Sequence, residues 1–173
     1  ISAAYKFNDW LSADAIVVNG EGYKKIQKND GLMYGLGATL TPVKALTFRA
    51  YYGLNEGSDA KQENIQNLAT FVGLKLNGFS LGAEYNRIWN MKHVDSSDMN
   101  GFSIYSNIKM NKNADLYLRF DDYNGDESAF IAGVQWKLGK YVKLSPNFRW
   151  NNRDVDGGNG NSYMGYISCY FGF

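Results

Sequence analysis

The chain has 173 residues and a formal net charge of +1, so its bulk charge gives no reason to expect nucleic acid or an acidic partner. With 19 Gly, 2 Pro and 16% aromatics led by 13 Tyr and 10 Phe, its vocabulary is that of strands and turns and argues against a helical protein. No run approaches the roughly 18 consecutive apolar residues of a spanning helix, and the lone Cys169 can close no disulfide within the chain, which leaves the redox compartment open.

Period-2 alternation recurs along the sequence in segments of about ten residues. The first strand is expected over Ile1 to Phe7 and carries Lys6, and the second carries Asp14. Leu32, Tyr34, Leu36, Ala38 and Leu40 then oppose Met33, Gly35, Gly37, Thr39 and Thr41, and Leu46, Phe48, Ala50, Tyr52 and Leu54 oppose Thr47, Arg49, Tyr51 and Gly53. Leu68, Thr70, Val72, Leu74 and Leu76 oppose Ala69, Phe71, Gly73 and Lys75; Phe79, Leu81, Ala83 and Tyr85 oppose Ser80, Gly82, Glu84 and Asn86. The rhythm continues with Phe102, Ile104, Ser106, Ile108 and Met110 against Ser103, Tyr105, Asn107 and Lys109, and with Leu116, Leu118 and Phe120 against Tyr117, Arg119 and Asp121. Phe130, Ala132, Val134, Trp136 and Leu138 oppose Ile131, Gly133, Gln135 and Lys137. Val142, Leu144, Pro146, Phe148 and Trp150 oppose Lys143, Ser145, Asn147 and Arg149, with a bulge or weak pairing expected at Pro146 because proline cannot donate to a ladder. Ser162 to Phe173 is the last strand, with Tyr163, Gly165, Ile167, Cys169, Phe171 and Phe173 on one face.

The connections alternate in length. Short turns are expected at Asn8-Asp9, Pro42 to Ala45, Asn77-Gly78, Asn111 to Asn113 and Gly139 to Tyr141. Mostly longer polar loops lie between them, at Lys24 to Asp30, Asn55 to Asn67, Lys92 to Asn100, Asn124 to Glu127 and Asn151 to Asn161. Alternating strands with short turns at one end and long loops at the other predict an all-β, antiparallel up-and-down transmembrane β-barrel of the bacterial outer membrane. About eleven strands are present in one domain over residues 1–173. By the loop assignment the first strand runs from outside to periplasm, whereas a complete barrel has an even strand count and both ends in the periplasm. The chain is therefore expected to be the C-terminal part of a larger, even-stranded barrel.

A soluble β-sandwich or lipocalin-like barrel is the alternative, with the apolar faces inside. Aromatic placement argues against it. Trp10, Phe79, Trp136, Tyr141, Phe171 and Phe173 sit near the short-turn ends, and Tyr34, Tyr52, Tyr85, Trp89, Phe102, Phe130 and Trp150 near the loop ends. Two aromatic belts bracketing an aliphatic band match the two interfaces of a bilayer.

The last strand, with Ile167, Cys169, Phe171 and Phe173 on one face, resembles the terminal strand of bacterial outer-membrane proteins. That resemblance implies these residues as a signal to the barrel-assembly machinery. Three stretches, Tyr5-Lys6-Phe7-Asn8-Asp9-Trp10-Leu11, Asn19-Gly20-Glu21-Gly22-Tyr23-Lys24-Lys25 and Tyr34-Gly35-Leu36-Gly37-Ala38-Thr39 ahead of Pro42, resemble the C-terminal half of general and phosphate-selective-like porins of the Bacteroidetes type. The resemblance implies a multi-stranded barrel passing small polar solutes.

If the apolar faces meet lipid, the opposite faces line a lumen. Its basic positions are Lys6, Arg49, Lys75, Lys109, Arg119, Lys137, Lys143 and Arg149, and its acidic ones Asp14, Glu84 and Asp121. The basic surplus would lower the energy of an entering anion; the competing account is that the charges pair across strands to fill the interior. An enzymatic barrel would need a His base beside a Ser nucleophile. His93 near Ser96 and Ser97 is the one such grouping, and it falls in an external loop that fixes no triad geometry, so no enzymatic role is expected. Asp122, Asn124 and Asp126 have the spacing of a calcium loop, but Glu127 stands where Gly is needed and Gly133 where Glu is needed, leaving at most loose cation binding that bridges lipopolysaccharide. Cys169 reads as a small hydrophobe.

The leading expectation is passive diffusion of small polar, preferentially anionic solutes through an outer-membrane porin that holds no cofactor or metal. Its surroundings would be outer-membrane lipid and lipopolysaccharide, the assembly machinery during biogenesis, and other outer-membrane subunits or two further copies in a homotrimer. The rival is a non-conducting structural or accessory barrel subunit of an outer-membrane assembly.

Overall fold

A computed structural model describes residues 1–20, 31–59, 61–155 and 158–172. Its regular structure is β-strand throughout, apart from one 3-10 turn at Met91–His93. The strands are β1 (Ser2–Lys6), β2 (Leu11–Asn19), β3 (Leu32–Val43), β4 (Leu46–Asn55), β5 (Ile65–Leu76), β6 (Phe79–Trp89), β7 (Met99–Lys109), β8 (Ala114–Tyr123), β9 (Glu127–Lys137), β10 (Val142–Val155) and β11 (Gly158–Phe171). They form one antiparallel up-and-down sheet whose order follows the chain from β1 to β11. Every connection therefore joins neighbours, as alternating turns and loops require.

The chain falls into two compact units: Ile1–Val72 with Glu84–Asn100, and Gly73–Ala83 with Gly101–Phe173. In the first, the register aligns Lys6, Ser12, Thr39 and Arg49 in one row and Asp14, Gly37 and Tyr51 in another. The row between them is Tyr5, Ala13, Ala38 and Ala50, so polar and apolar rows alternate across β1 to β4 just as they do along each strand. In the second unit, Asn107, Tyr117, Gly133, Asn147 and Tyr166 share a row, flanked by the apolar row Ile108, Leu116, Val134.

Burial is inverted relative to a soluble protein. Among the described residues Ala114 is the one buried apolar side chain, while Asp121 and Asn147 are buried polar ones. Leu36 is 63% exposed, Ile104 47% and Ile167 72%, each in the middle of the apolar face of its strand. A folded chain that leaves its aliphatic rows uncovered and tucks carboxylate and amide away has its apolar solvent outside. The soluble alternative needs an apolar interior, and none is formed among the described residues. Of the expected belt residues Trp10, Tyr34, Tyr52, Tyr85, Phe102, Trp136, Tyr141 and Phe171 are exposed, Phe79, Trp89, Phe130 and Trp150 are half-buried, and Phe173 lies outside the described residues.

Local chemistry explains the turns. Gly78 takes φ +76 in the two-residue turn between β5 and β6, and Asn124 and Gly125 take φ 54 and 77 between β8 and β9, where the hairpin twist needs left-handed residues. Between β1 and β2 the Asn8 side chain accepts from the amides of Trp10 and Leu11 at 3.0 and 2.8 Å. Pro146 keeps its place opposite Ile167 of β11, but the β9 ladder has no pairs at Ser145 and Pro146, the weak pairing expected there. The register also shifts between Leu40 and Val43, a bulge at Pro42.

One expected loop is corrected. Residues 151–155 and 158–161 are not loop but ladder, with Asn151 opposite Ser162, Asn152 opposite Asn161 and Arg153 opposite Gly160. Backbone pairing continues past the apolar band, where no hydrocarbon imposes alternation. The loop expected at Lys24 to Asp30 lies outside the described residues.

Candidate functional site

The polar face is built by the same alternation that exposes the apolar one, and its large side chains lie sideways over glycines. In the first unit Arg49 donates from both terminal nitrogens to Asp14, at 2.7 and 2.9 Å, and from Nη1 to the Thr39 hydroxyl at 2.9 Å. This cluster occupies the space above Gly37, where a Cβ would stand 2.5 Å from Arg49 Nη2 and 2.8 Å from both Asp14 oxygens. Beside it a hollow of about 210 Å3 is lined by Arg49, Tyr51, Glu84 and Asn86. At the short-turn end Lys6 reaches Asp9 at 2.7 Å. That hydrogen bond, together with the lysine's charge, holds the Asp9 carboxyl below its ordinary value.

In the second unit Arg119 Nε lies 2.9 and 2.8 Å from the two oxygens of buried Asp121, which also accepts from the Ser103 hydroxyl. The Arg119 guanidinium stands over the Tyr105 ring. Tyr117 lies across Gly133 and hydrogen-bonds the Ser145 hydroxyl at 2.9 Å. Lys137 stands 3.7 Å from Asp115. A groove of about 380 Å3 at the short-turn end is lined by Lys75, Lys109, Asp115 and Gln135. A second, of about 550 Å3, is lined by Tyr117, Arg119, Lys143, Ser145, Asn147 and Arg149.

All the expected lumen residues thus fall on strands, and register or a shared hollow puts Lys6, Arg49, Lys75, Glu84, Lys109, Arg119, Asp121, Lys137, Lys143 and Arg149 on the polar side of their own unit. The basic surplus is smaller than the sequence count. Asp115, opposite Lys109 and Gln135, belongs to this face and was not among the acidic positions. Its parity with Tyr117 was the available signal. Lys6, Arg49, Arg119 and Lys137 each meet a carboxylate. Among the described residues Lys75, Lys109, Lys143 and Arg149 do not.

His93 serves the loops. Its Nδ1 is 2.8 Å from the Glu63 carbonyl oxygen and its own carbonyl accepts from the Glu63 amide at 3.2 Å, which fastens the β4–β5 and β6–β7 loops together. Asp122 is likewise spent on its own hairpin, accepting from the Gly125 amide at 3.1 Å and the Ser128 hydroxyl at 2.9 Å. Ile167, Cys169 and Phe171 lie on the outward apolar face opposite Pro146, Leu144 and Val142. Phe173 lies outside the described residues.

No protein-family model and no curated protein sequence matches the chain. Solved structures do. A porin refined at 1.8 Å resolution matches 98% of this chain and 60% of its own length, with a TM-score of 0.68 and 13% identity. OmpT, an outer membrane protein of Vibrio cholerae, folded in vitro, matches over 98% of this chain and 63% of its own, with a TM-score of 0.63 and 14% identity. The CymD monoaromatic hydrocarbon channel matches over 99% and 72%, with a TM-score of 0.58 and 10% identity. The chain spans about three-fifths of the length of the first two. At these identities the likeness is one of fold, and the fold is that of outer-membrane β-barrels.

Proposed function

We propose that this chain forms the wall of an outer-membrane channel through which small polar solutes, anions in preference, diffuse passively. The observation that carries the reading is the face inversion: exposed aliphatic rows on one side and, on the other, arginines and lysines of which Lys75, Lys109, Lys143 and Arg149 meet no carboxylate among the described residues. Uncompensated cations on a pore wall lower the energy of an anion beside them, and they do so most where water is scarce. The fold shared with a porin and a hydrocarbon channel supports a passive role over an enzymatic one.

Within this reading the chain is one barrel domain, part of a larger even-stranded barrel of the Bacteroidetes general or phosphate-selective-like porin type, a reading supported by its spanning 60% of the matched porin. Its apolar face takes outer-membrane lipid, with lipopolysaccharide at the loop end and, in a homotrimer, further copies of itself. Ile167, Cys169, Phe171 and Phe173 act as the assembly signal. Single-channel recording with reversal potentials in a salt gradient tests the function. A reversal potential of the anion-selective sign is expected; a cation-selective sign overturns the preference, and absence of conductance leaves the non-conducting subunit in its place.

A further inference from the structure

Among the arginines, Arg149 is set apart. Arg49, Arg87, Arg119 and Arg153 each bond a carboxylate. Arg149 does not: its Nε donates to the Asn147 side-chain oxygen at 3.1 Å, and its guanidinium lies over the Tyr166 ring, 4.6 Å from the centroid. Asn147 is buried and anchored in turn, donating from Nδ2 to the Ser145 carbonyl at 3.1 Å, which fixes its oxygen toward Arg149. The guanidinium is thus positioned by a neutral amide and an aromatic face, and among the described residues no carboxylate cancels its charge and no acceptor takes its Nη groups. A planar fork of this kind matches a carboxylate in two parallel hydrogen bonds.

The groove beside it decides what the rest of the ligand is. The other unpaired cation on its wall, Lys143, is six residues along the same strand, about 20 Å at the usual strand rise, and stands over Tyr170. Arg119 shares the row of Arg149 across Ile131 but is already bonded to Asp121, so a compact polyvalent oxyanion at the Arg149 fork would meet one cation without a carboxylate and, beside it, the Asp121 carboxylate. Between the two lies the ring of Tyr117, over Gly133, and the ring of Tyr170 closes the Lys143 end. The space is about 550 Å3, within the range of small-molecule sites.

We infer that this groove is a binding station for a small monocarboxylate with an apolar, ring-sized body, its carboxylate on the Nη fork of Arg149 and its body along the tyrosines. The inference rests on the channel reading, since it needs the polar face to be the one solutes reach. Asn147 acts as a positioning residue.

Benzoate is the probe, compared with acetate (the head alone), benzyl alcohol (the ring alone) and inorganic phosphate (a compact polyvalent anion). Binding is followed by saturation-transfer NMR on the detergent-folded protein. Benzoate is expected to bind about tenfold tighter than any of the three, the gain of a charge-assisted bidentate pair joined to an apolar contact. Arg149→Gln should abolish that margin, and Arg149→Lys, which keeps the charge and loses the fork, should remove most of it. Equal affinity for acetate or benzyl alcohol, tighter binding of phosphate, or an unchanged margin in both variants overturns the station. The titration needs no open pore: chloride conductance with no benzoate preference sinks the station alone, and benzoate preference without conductance sinks the channel reading.

Discussion

The Asp14 carboxylate crosses Gly37 to take both terminal nitrogens of Arg49, at 2.7 and 2.9 Å, tying β2 to β4 over the intervening strand. Both side chains remain more than a third exposed, so water screens the pair and its worth to stability is about 1 kcal/mol or less. Its effect on the wall is larger, because it silences one cation. Asp14→Asn should therefore leave urea unfolding almost unmoved while shifting the reversal potential further toward anions. Arg49→Gln, which frees the carboxylate, should shift it the opposite way. Equal and same-signed shifts in the two variants would show that neither group faces the permeating ions.

Glycines under reclining side chains should be far less replaceable than glycines under open space. A Cβ on Gly133 would meet the Tyr117 ring and, at 2.8 Å, Cβ of Asn147, an atom next to the backbone that cannot swing away. Gly133→Ala is expected to destabilise by about 1–3 kcal/mol through overpacking. It should also detach Tyr117 from Ser145. Nothing stands within 4 Å of a Cβ on Gly165, so Gly165→Ala should be neutral or gain a few tenths of a kcal/mol from reduced chain entropy. Urea unfolding midpoints of the two variants in the same lipid compare them directly, and similar losses would contradict the packing described.

Strand phase was legible because hydrocarbon imposes it: wherever Leu36, Ile104 or Ile167 must face out, its neighbours must face in. The same cause explains what was not legible. Beyond the apolar band Asn151, Asn152 and Arg153 are polar on both faces of β10, so they carry no alternation and read as loop although their ladder to Ser162, Asn161 and Gly160 is intact. Asp115 escaped because it stands one residue before Leu116, the first large apolar side chain of its strand, so that only its parity with Tyr117 marked its face. The Asp14–Arg49 pair spans a third strand and reaches diagonally across a glycine, so it is set by register, which no single strand encodes. That Arg149 meets no carboxylate among the described residues likewise depends on what the other arginines have found.

The Lys6–Asp9 pair gives a pH dependence whose sign is fixed by its geometry. Asp9 sits in the exposed β1–β2 turn, and the lysine at 2.7 Å lowers its pKa from the ordinary 3.8. A carboxyl whose folded pKa is depressed contributes stability that is present above the unfolded value and fades as pH falls through the folded one. Carboxyl NMR of Asp9 should therefore titrate below 3.8 in the native protein and return toward that value in Lys6→Gln. An unmoved midpoint in the variant would mean the pair is not formed in solution.

The exposed aliphatic rows predict a mutational response opposite to that of a soluble surface. Leu36, 63% exposed, sits mid-strand between Ala15 and Tyr52, and Ile104, 47% exposed, sits opposite Phe120. On a water-facing sheet, exchanging such exposed residues for arginine costs within about 0.5 kcal/mol. In hydrocarbon the guanidinium loses its hydration, and the cost near the bilayer midplane rises to about 2–4 kcal/mol, falling toward the interfaces. Leu36→Arg and Ile104→Arg should each lose that much in reversible folding into lipid vesicles, while the same substitution at the belt residue Tyr141 should lose about 1 kcal/mol or less. A uniform small effect at all three depths would place water, not lipid, against this face.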